Sequence, residues 1–235
     1  MSLRTRTLVG ELMDDPTLDR REHELALRGL ARLNLLSAAA RPFVHTLQVH
    51  AKGRCFDLLD VASGSGDVLL GTARALRRRG VDVRANACDV SPVACERIAL
   101  RAERAGIPVR VFTADALAEG ALGERAYDGV MNTLFLHHLT RDDAVRLLRS
   151  MARALRVGGV LVASDLLRTR RCYAMALAAS RLVTRSRVVH VDALRSVRAA
   201  FAADELRGLA SEAGLSGARV SRVWPERGLL VWVKR

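Results

Sequence analysis

Three observations in the amino-acid sequence predict an α/β protein built on a doubly wound, largely parallel sheet. Short apolar runs alternate with stretches of helical periodicity, the pattern of a sheet covered by helices on both faces. Acids stand at the ends of three successive runs, at Asp60, Asp89 and Asp115. The first of these runs leads into a glycine-rich turn, and sheets of this kind bind ligands at the carboxyl ends of their strands.

The elements follow in order. Asp19 and Glu22 form a capping-box pattern for a helix carrying Leu27, Leu30 and Leu33 at helical spacing, and a second helical stretch runs from about Ser37 to His50. Phe56, Leu58, Leu59 and Val61 make the first strand, FDLLDV. Gly64 and Gly66 let the backbone turn sharply and let a ligand come close. From Val68 the pattern turns helical through Leu69, Leu70, Ala73 and Leu76 to a stop at Gly80. The segment VDVRANACD is a second strand ending at Asp89. Ser91 and Pro92 then cap a helix from Val93 to Ala105. A third strand starts at Val109 and ends in Asp115 and Ala116. The fourth, YDGVMNTLFLHHL, brings Asn132 and Thr133 to its carboxyl end. A helix from about Arg141 to Arg156, closed by Gly158 and Gly159, precedes a fifth strand at Val160 to Ser164. After an insert from Leu166 to Phe201, a helix from about Ala203 to Ala213 leads to two closing strands, near Ala218 to Val223 and Leu229 to Val233. This divides the chain into an N-terminal helical lid, residues 1–52, and a main domain, 53–235, with a helical insert at about 166–201.

The turn after the first strand restricts its ligand. A P-loop needs a lysine that this stretch lacks, since Lys52 and Lys234 are the only lysines. A dinucleotide fingerprint needs a small residue where Leu69 stands. Asp60 would repel a pyrophosphate and suits a cationic ligand. FDLLDVASGSGDV resembles motif I of class I S-adenosylmethionine (AdoMet) methyltransferases, whose cofactor carries an ammonium and a sulfonium. The resemblance spans about Gly53 to Arg235. It implies a Rossmann-like seven-stranded sheet with an antiparallel last strand and an N-terminal helical lid. It also implies that Asp60, Ala62, Ser63, Gly64, Gly66 and Asp67 hold the cofactor from the first turn. Asp89, with Val90 beside it, would take the ribose hydroxyls, Asp115 and Ala116 the adenine, and Asn132 and Thr133 the methionine part. Ala62 departs from the family by standing at the first glycine of the motif, so a slightly altered turn with retained binding is expected.

The acceptor is less legible. The stretch VVHVDALRSVRAAF is similar to a pattern of bacterial methyltransferases related to the ubiquinone and menaquinone pathway enzymes, often linked to polyketide or phenolic products. Within it His190 and Asp192 form a candidate base and orienting acid, although Val191 separates them where the pattern has none. His137 and His138 are rival bases. Asn34 and Arg41 are candidates to reach the ligand, and Tyr173, Met175, Leu177 and Leu182 offer an apolar wall. No metal-like spacing is evident, so no metal is expected.

Composition narrows the class. The formal charge of +13 raises nucleic acid as a partner, but the basic residues are scattered arginines with few aromatics for base stacking. The motif of many amino-methylating nucleic-acid enzymes is also absent, this chain reading NTLF instead. No apolar run approaches the roughly 20 residues of a membrane span. Cys55, Cys88, Cys95 and Cys172 read as reduced thiols. The expectation is a cytoplasmic enzyme that methylates a small aromatic or polyketide-derived molecule, most simply at a phenolic oxygen, with a second copy of the chain as the partner to consider. Carbon methylation of a quinone-precursor ring, RNA methylation and a non-catalytic AdoMet-binding subunit are the alternatives.

Overall fold

The computed structural model describes residues 3–15, 17–51 and 55–235. Its centre is a seven-stranded sheet in the order β3-β2-β1-β4-β5-β7-β6. The strands are β1 (Phe56–Val61), β2 (Val83–Asp89), β3 (Val109–Thr113), β4 (Tyr127–Thr133), β5 (Leu155–Leu166), β6 (Arg219–Val223) and β7 (Arg227–Val233). The pairs among β1 to β5 are parallel, whereas β7 is antiparallel to both β5 and β6. The strand order reverses beside β1, so the ends of β1 and β4 open onto the crevice where ligands of such sheets bind.

The helices are α1 (Arg20–Leu36), α2 (Arg41–His50), α3 (Asp67–Arg77), α4 (Pro92–Arg104), α5 (Arg141–Ala154), α6 (Arg170–Val183), α7 (Arg187–Ala199) and α8 (Ala203–Glu212). Those that cover the sheet, α2, α3, α4, α5 and α8, do so through apolar residues that recur at helical spacing. In α5, Ala144, Val145, Leu147, Leu148 and Met151 are buried, and the Thr140 hydroxyl caps the first turn by accepting from the Asp143 amide. One face of the sheet is closed by α2, α3 and α4 through Phe43, Leu47, Leu69, Leu76 and Ile98. The other is closed by α5 and α8 through Leu147, Met151, Leu206 and Leu209. A third, small core lies apart from both. There Ala26 of α1 packs with Val188 and Val189 of α7 and with Leu12 and Met13 of the N-terminal segment.

Several boundaries differ from expectation for local reasons. Gly158 and Gly159 do not end a helix; α5 stops at Ala154 and both glycines lie within β5. Gly158 takes a positive φ of 80°, and a Cβ on Gly159 would sit 2.9 Å from the Arg156 carbonyl, so both are needed where the β4–β5 register shifts. The second N-terminal helix starts at Arg41, because residues 37–40 form a turn with Ala38 at φ 49° and Pro42 suits a first helical turn. The third and fourth strands end at Thr113 and Thr133, leaving Asp115 and the histidine pair in the following turns. The insert folds as two helices, α6 and α7. The boundary placed between residues 52 and 53 lies outside the described residues. Among the described residues no helix is long and apolar enough to cross a membrane.

Candidate active site

The first turn is shaped by left-handed backbone. Ala62, Gly64 and Gly66 have φ of 53°, 56° and 72°, and Gly66 is the N-cap of α3. Ala62 therefore holds the conformation a glycine would adopt freely, at a cost of roughly 1–2 kcal/mol for an L-residue. A Cβ on Gly64 would meet nothing within 4 Å; there the requirement is conformational, and the space above is open for a ligand. Asp60 is buried at the end of β1, its Oδ2 accepting from the Ser63 hydroxyl at 2.6 Å while Oδ1 has no partner. Burial, reinforced by the charge of Asp89 and only partly countered by Ser63, pushes the Asp60 carboxyl up to about 7. Asp89 Oδ2 accepts from the Gly64 amide at 2.9 Å, and its Oδ1 from the Ser91 amide at 3.0 Å, so the ends of β1 and β2 are tied together.

A cavity of about 580 Å³ opens between this turn and the N-terminal helices. Asp60, Ala62, Ser63, Gly64 and Asp67 form one side, and Leu27, Leu30 and Leu33 of α1 face it with Met175 and Val183 of α6. His137 stands in the short turn that follows β4, its Nδ1 2.7 Å from Asp165 Oδ1 at the end of β5. Its backbone amide donates to the other Asp165 oxygen at 2.9 Å. Its Nε2 lies 3.6 Å from Glu11 Oε1, and His138 Nε2 lies 3.9 Å from the same oxygen. Burial alone would lower His137, but the charges and hydrogen bonds of Asp165 and Glu11 outweigh it and lift the ring to about 9. For Glu11 burial acts upward and is overcome by His137, His138 and Ser196, which hold the carboxyl below its usual range. Asp165 is likewise held low by His137 against its burial. The ligand atoms of Glu11, His137 and His138 lie within 4.8 Å of one another, close enough to hold a metal ion. Such a ligand must be a neutral imidazole. His137, flanked by two carboxylates, is favoured as the imidazolium, and a metal ion at this cluster would have to displace that proton.

Residues 58–159 match the family described as a methyltransferase domain. Those residues carry a methyltransferase domain. No curated protein matches the chain in sequence. Among solved structures it is similar to the S-adenosylmethionine-dependent methyltransferase SibL in its apo form, with a TM-score of 0.66 and 20% identity over 99% of this chain and 64% of that one. A putative O-methyltransferase from Nostoc punctiforme gives 0.64 and 16% over 89% and 60%. PigF with SAH gives 0.57 and 22% over 76% and 50%. The likeness at these identities is one of fold, and the chain spans between 50% and 64% of the length of these three proteins. AdoMet is the cofactor of the methyltransferase domain.

Within the methyltransferase domain the sequence candidates separate into groups. Asp60, Ala62, Ser63, Gly64, Asp67 and Thr133 line the cavity, and Gly66 lies beneath, against Ile98. Asp67 opens α3 and is paired with Arg101. Asn132 is buried, donating from Nδ2 to the Val61 carbonyl at 2.8 Å and so locking β4 to β1. Asp89, Val90, Asp115 and Ala116 stand outside the cavity lining at the ends of β2 and β3, and Asp115 folds back on the Leu117 amide at 2.9 Å. His138 lines the cavity beside His137.

The pairing of His190 with Asp192 is not formed. Both lie on α7, but His190 Nε2 is 2.9 Å from the Thr184 carbonyl and the ring does not reach the cavity lining. Asp192 instead accepts from the backbone amides of Leu12 and Met13 at 2.8 and 3.0 Å, fastening the N-terminal segment. Residues two apart on a helix point in different directions. Of the expected apolar wall only Met175 lines the cavity. Leu182 is exposed, and Tyr173 instead accepts from Arg198 at 3.0 Å. Asn34 lines the cavity and Arg41 does not. Sequence reasoning missed Glu11, Asp165, Ser196 and Arg227. Asp165, an acid at a strand end like Asp60, is the only one that pattern alone could have found.

Proposed function

We propose that this chain transfers the methyl group of AdoMet to a small aromatic or polyketide-derived acceptor, at a phenolic oxygen, with His137 as the group that takes the proton. The observation that supports this most is the shared cavity, whose apolar space is lined by the glycine turn and by Glu11 and His137, with Asp165 bonded to the His137 ring from behind. The turn fits the cofactor. The unpartnered Asp60 Oδ1 is a buried acceptor suited to an ammonium, and Asn132 Oδ1 and Thr133 Oγ1 at the end of β4 also lack partners. When bound, AdoMet supplies a methyl group on a cationic sulfur, open to in-line attack. Asp165 fixes the His137 tautomer and orientation through Nδ1, leaving Nε2 on the side of Glu11, 3.6 Å away. There it accepts the hydroxyl proton of the acceptor and passes to an imidazolium stabilised by Asp165 and Glu11. The leucine face of α1 with Met175 and Val183 keeps water from the reacting pair, which favours a reaction in which phenolate and sulfonium charges cancel.

On this reading residues 1–52 act as a lid and 166–201 as the insert that completes the acceptor wall. The exposed arginines pair locally with acids, as Arg146 does with Asp143 and Arg153 with Glu119, which fits solvated faces better than a nucleic-acid track. The test is turnover of AdoMet with a panel of phenols and hydroxyquinones, products being identified by mass spectrometry. Methylated phenolic oxygen is the expected product, with a rate unaffected by EDTA. Product methylated on ring carbon would move the reaction to the carbon alternative, and AdoMet binding with no methylated product from any acceptor would overturn catalysis.

A further inference from the structure

Two buried arginines make an internal comparison. Arg168, just after β5, is 9% exposed and well satisfied: it donates to both oxygens of Glu205 at 2.7 and 2.8 Å, to the Ala200 carbonyl at 2.7 Å and to the Leu3 carbonyl at 3.2 Å. Arg227, the first residue of β7, is 4% exposed and lines the cavity. Its Nη2 donates to the Ser37 hydroxyl at 3.0 Å, while Nε and Nη1 have no partner. The nearby acids are engaged elsewhere. Asp165 takes the His137 ring and the amides of His137 and Leu166, and Glu226 faces Thr169, Arg171 and Arg222. Burial draws Arg227 down to about 10, only partly offset by Asp165, so the guanidinium still carries its charge at neutral pH. A buried charge without a counterion is costly, and an arginine fork pairs best with a planar carboxylate.

We infer that Arg227 is the seat for a carboxylate on the acceptor, so that the acceptor is an aromatic hydroxy acid. The position separates this seat from the cofactor. Arg227 lies three strands from β1 in the order β1-β4-β5-β7, about 14 Å at the usual spacing between strands. A cofactor ammonium at Asp60 keeps its own carboxylate one carbon away, near β1. By contrast β7 is only two strands, or about 10 Å, from β4, which leads into His137. An aryl acid can span that interval, its carboxylate on Arg227 and its hydroxyl toward His137. Among the described residues, Arg227 is the only arginine lining the cavity, in a chain otherwise rich in surface arginine.

This inference rests on the methyl-transfer reading but is tested by binding. The full-length protein, saturated with S-adenosylhomocysteine, is titrated calorimetrically with 4-hydroxybenzoate and 1-hydroxy-2-naphthoate and with their methyl esters. Trp224 in the cavity wall gives a second, fluorescent readout. A charge-assisted pair worth about 1.5–3 kcal/mol makes at least one acid bind 10- to 150-fold more tightly than its ester. That preference disappears in Arg227→Gln, shrinks but persists in Arg227→Lys, and AdoMet affinity is the same in all three proteins. Should the glutamine variant fail to fold, the acid-to-ester ratio of the wild type and the lysine variant carries the test. Equal binding of acid and ester, no aryl acid bound by the wild type, or an acid preference kept in Arg227→Gln would each overturn the assignment. Loss of AdoMet affinity instead of acid preference would give Arg227 to the cofactor and overturn it equally. Selective acid binding with no methylated product would leave the carboxylate seat standing and remove the methyl-transfer reading.

Discussion

The cofactor side and the acceptor side of this cavity are built on opposite plans. On the cofactor side, the turn from Asp60 to Asp67 is one continuous segment, and its geometry is mostly backbone: three left-handed residues and an amide held by the next strand's acid. On the side proposed for the acceptor, Glu11, His137, Asp165 and Arg227 come from four distant places in the chain and converge mainly through side chains. A backbone-built site is dictated locally and tolerates little change in conformation. A side-chain-built site can change its ligand by single substitutions while the sheet beneath stays the same, which is how one fold hosts many acceptors.

Substitutions on the two sides should therefore separate cofactor binding from chemistry. The largest effect is expected at His137. His137→Gln lowers kcat by about 10²- to 10⁴-fold, the usual range for loss of a general base, with AdoMet affinity within a factor of two. In the wild type kcat rises with pH from 7 and levels above about 9, because the ring must lose its proton to act. Steady-state kinetics against pH, with calorimetry, check both; a rate already flat at pH 7 would remove His137 as the base. The same raised pKa has a stability consequence of fixed sign. The stabilisation from protonated His137 is complete below its unfolded value near 6.5 and is lost as pH climbs through about 9.

Asp60→Asn comes next and acts on the other half. AdoMet affinity falls by about 2 kcal/mol, or some 30-fold, through loss of a charged acceptor for the ammonium. In the wild type, affinity also weakens as pH drops below about 7, where the carboxyl takes up a proton. Without cofactor the asparagine variant is the more stable protein at pH 8. A carboxyl whose folded value is raised from 3.8 to about 7 loses stability as pH rises between the two, and asparagine does not. Thermal denaturation with and without AdoMet reads both effects; a variant destabilised in both conditions would contradict this account of Asp60.

Asp192→Ala has a smaller effect confined to the acceptor side. Losing the hydrogen bonds from the Leu12 and Met13 amides costs about 1–2 kcal/mol locally. The acceptor KM rises several-fold while the AdoMet Kd stays unchanged, and limited proteolysis cuts the N-terminal segment sooner. A shift in AdoMet affinity of the same size would show that the two sides are coupled. The smallest effect is Ala62→Gly, which relieves a residue at φ 53°. It should raise Tm by about 2–4 °C per kcal/mol recovered, with AdoMet affinity retained.

The same contrast governs what the sequence discloses. Strand, glycine turn and helix at Phe56 to Arg77 could be read because each step follows from adjacent residues. Asp89 could be read as a strand end because the strand pattern repeats, whereas Asp115 falls in the turn after Thr113. Gly158 and Gly159 misled because a helix-ending glycine and a bulged strand use the same residue, and only the β4–β5 register distinguishes them. His190 and Asp192 looked like a pair by adjacency, but a helix turns them apart. Glu11 and Arg227 carried no local signal: one lies in an extended segment without periodicity, and the other is an arginine in a chain full of them. What makes each of them part of the site is a partner far away in sequence.

The fastening of the N-terminal segment to α7 bears on the order in which the protein is made. Leu12 and Met13 leave the ribosome early, yet their partner Asp192 is 180 and 179 residues downstream, and Thr7 must wait for Arg198. The residues assigned to the cofactor, in contrast, all lie at or before the end of β4 at Thr133. During synthesis a nascent chain can thus acquire its cofactor-binding half while its first residues are still unattached, since contacts of long sequence separation close late. The segment around Leu12 is fastened only once α7 has been made.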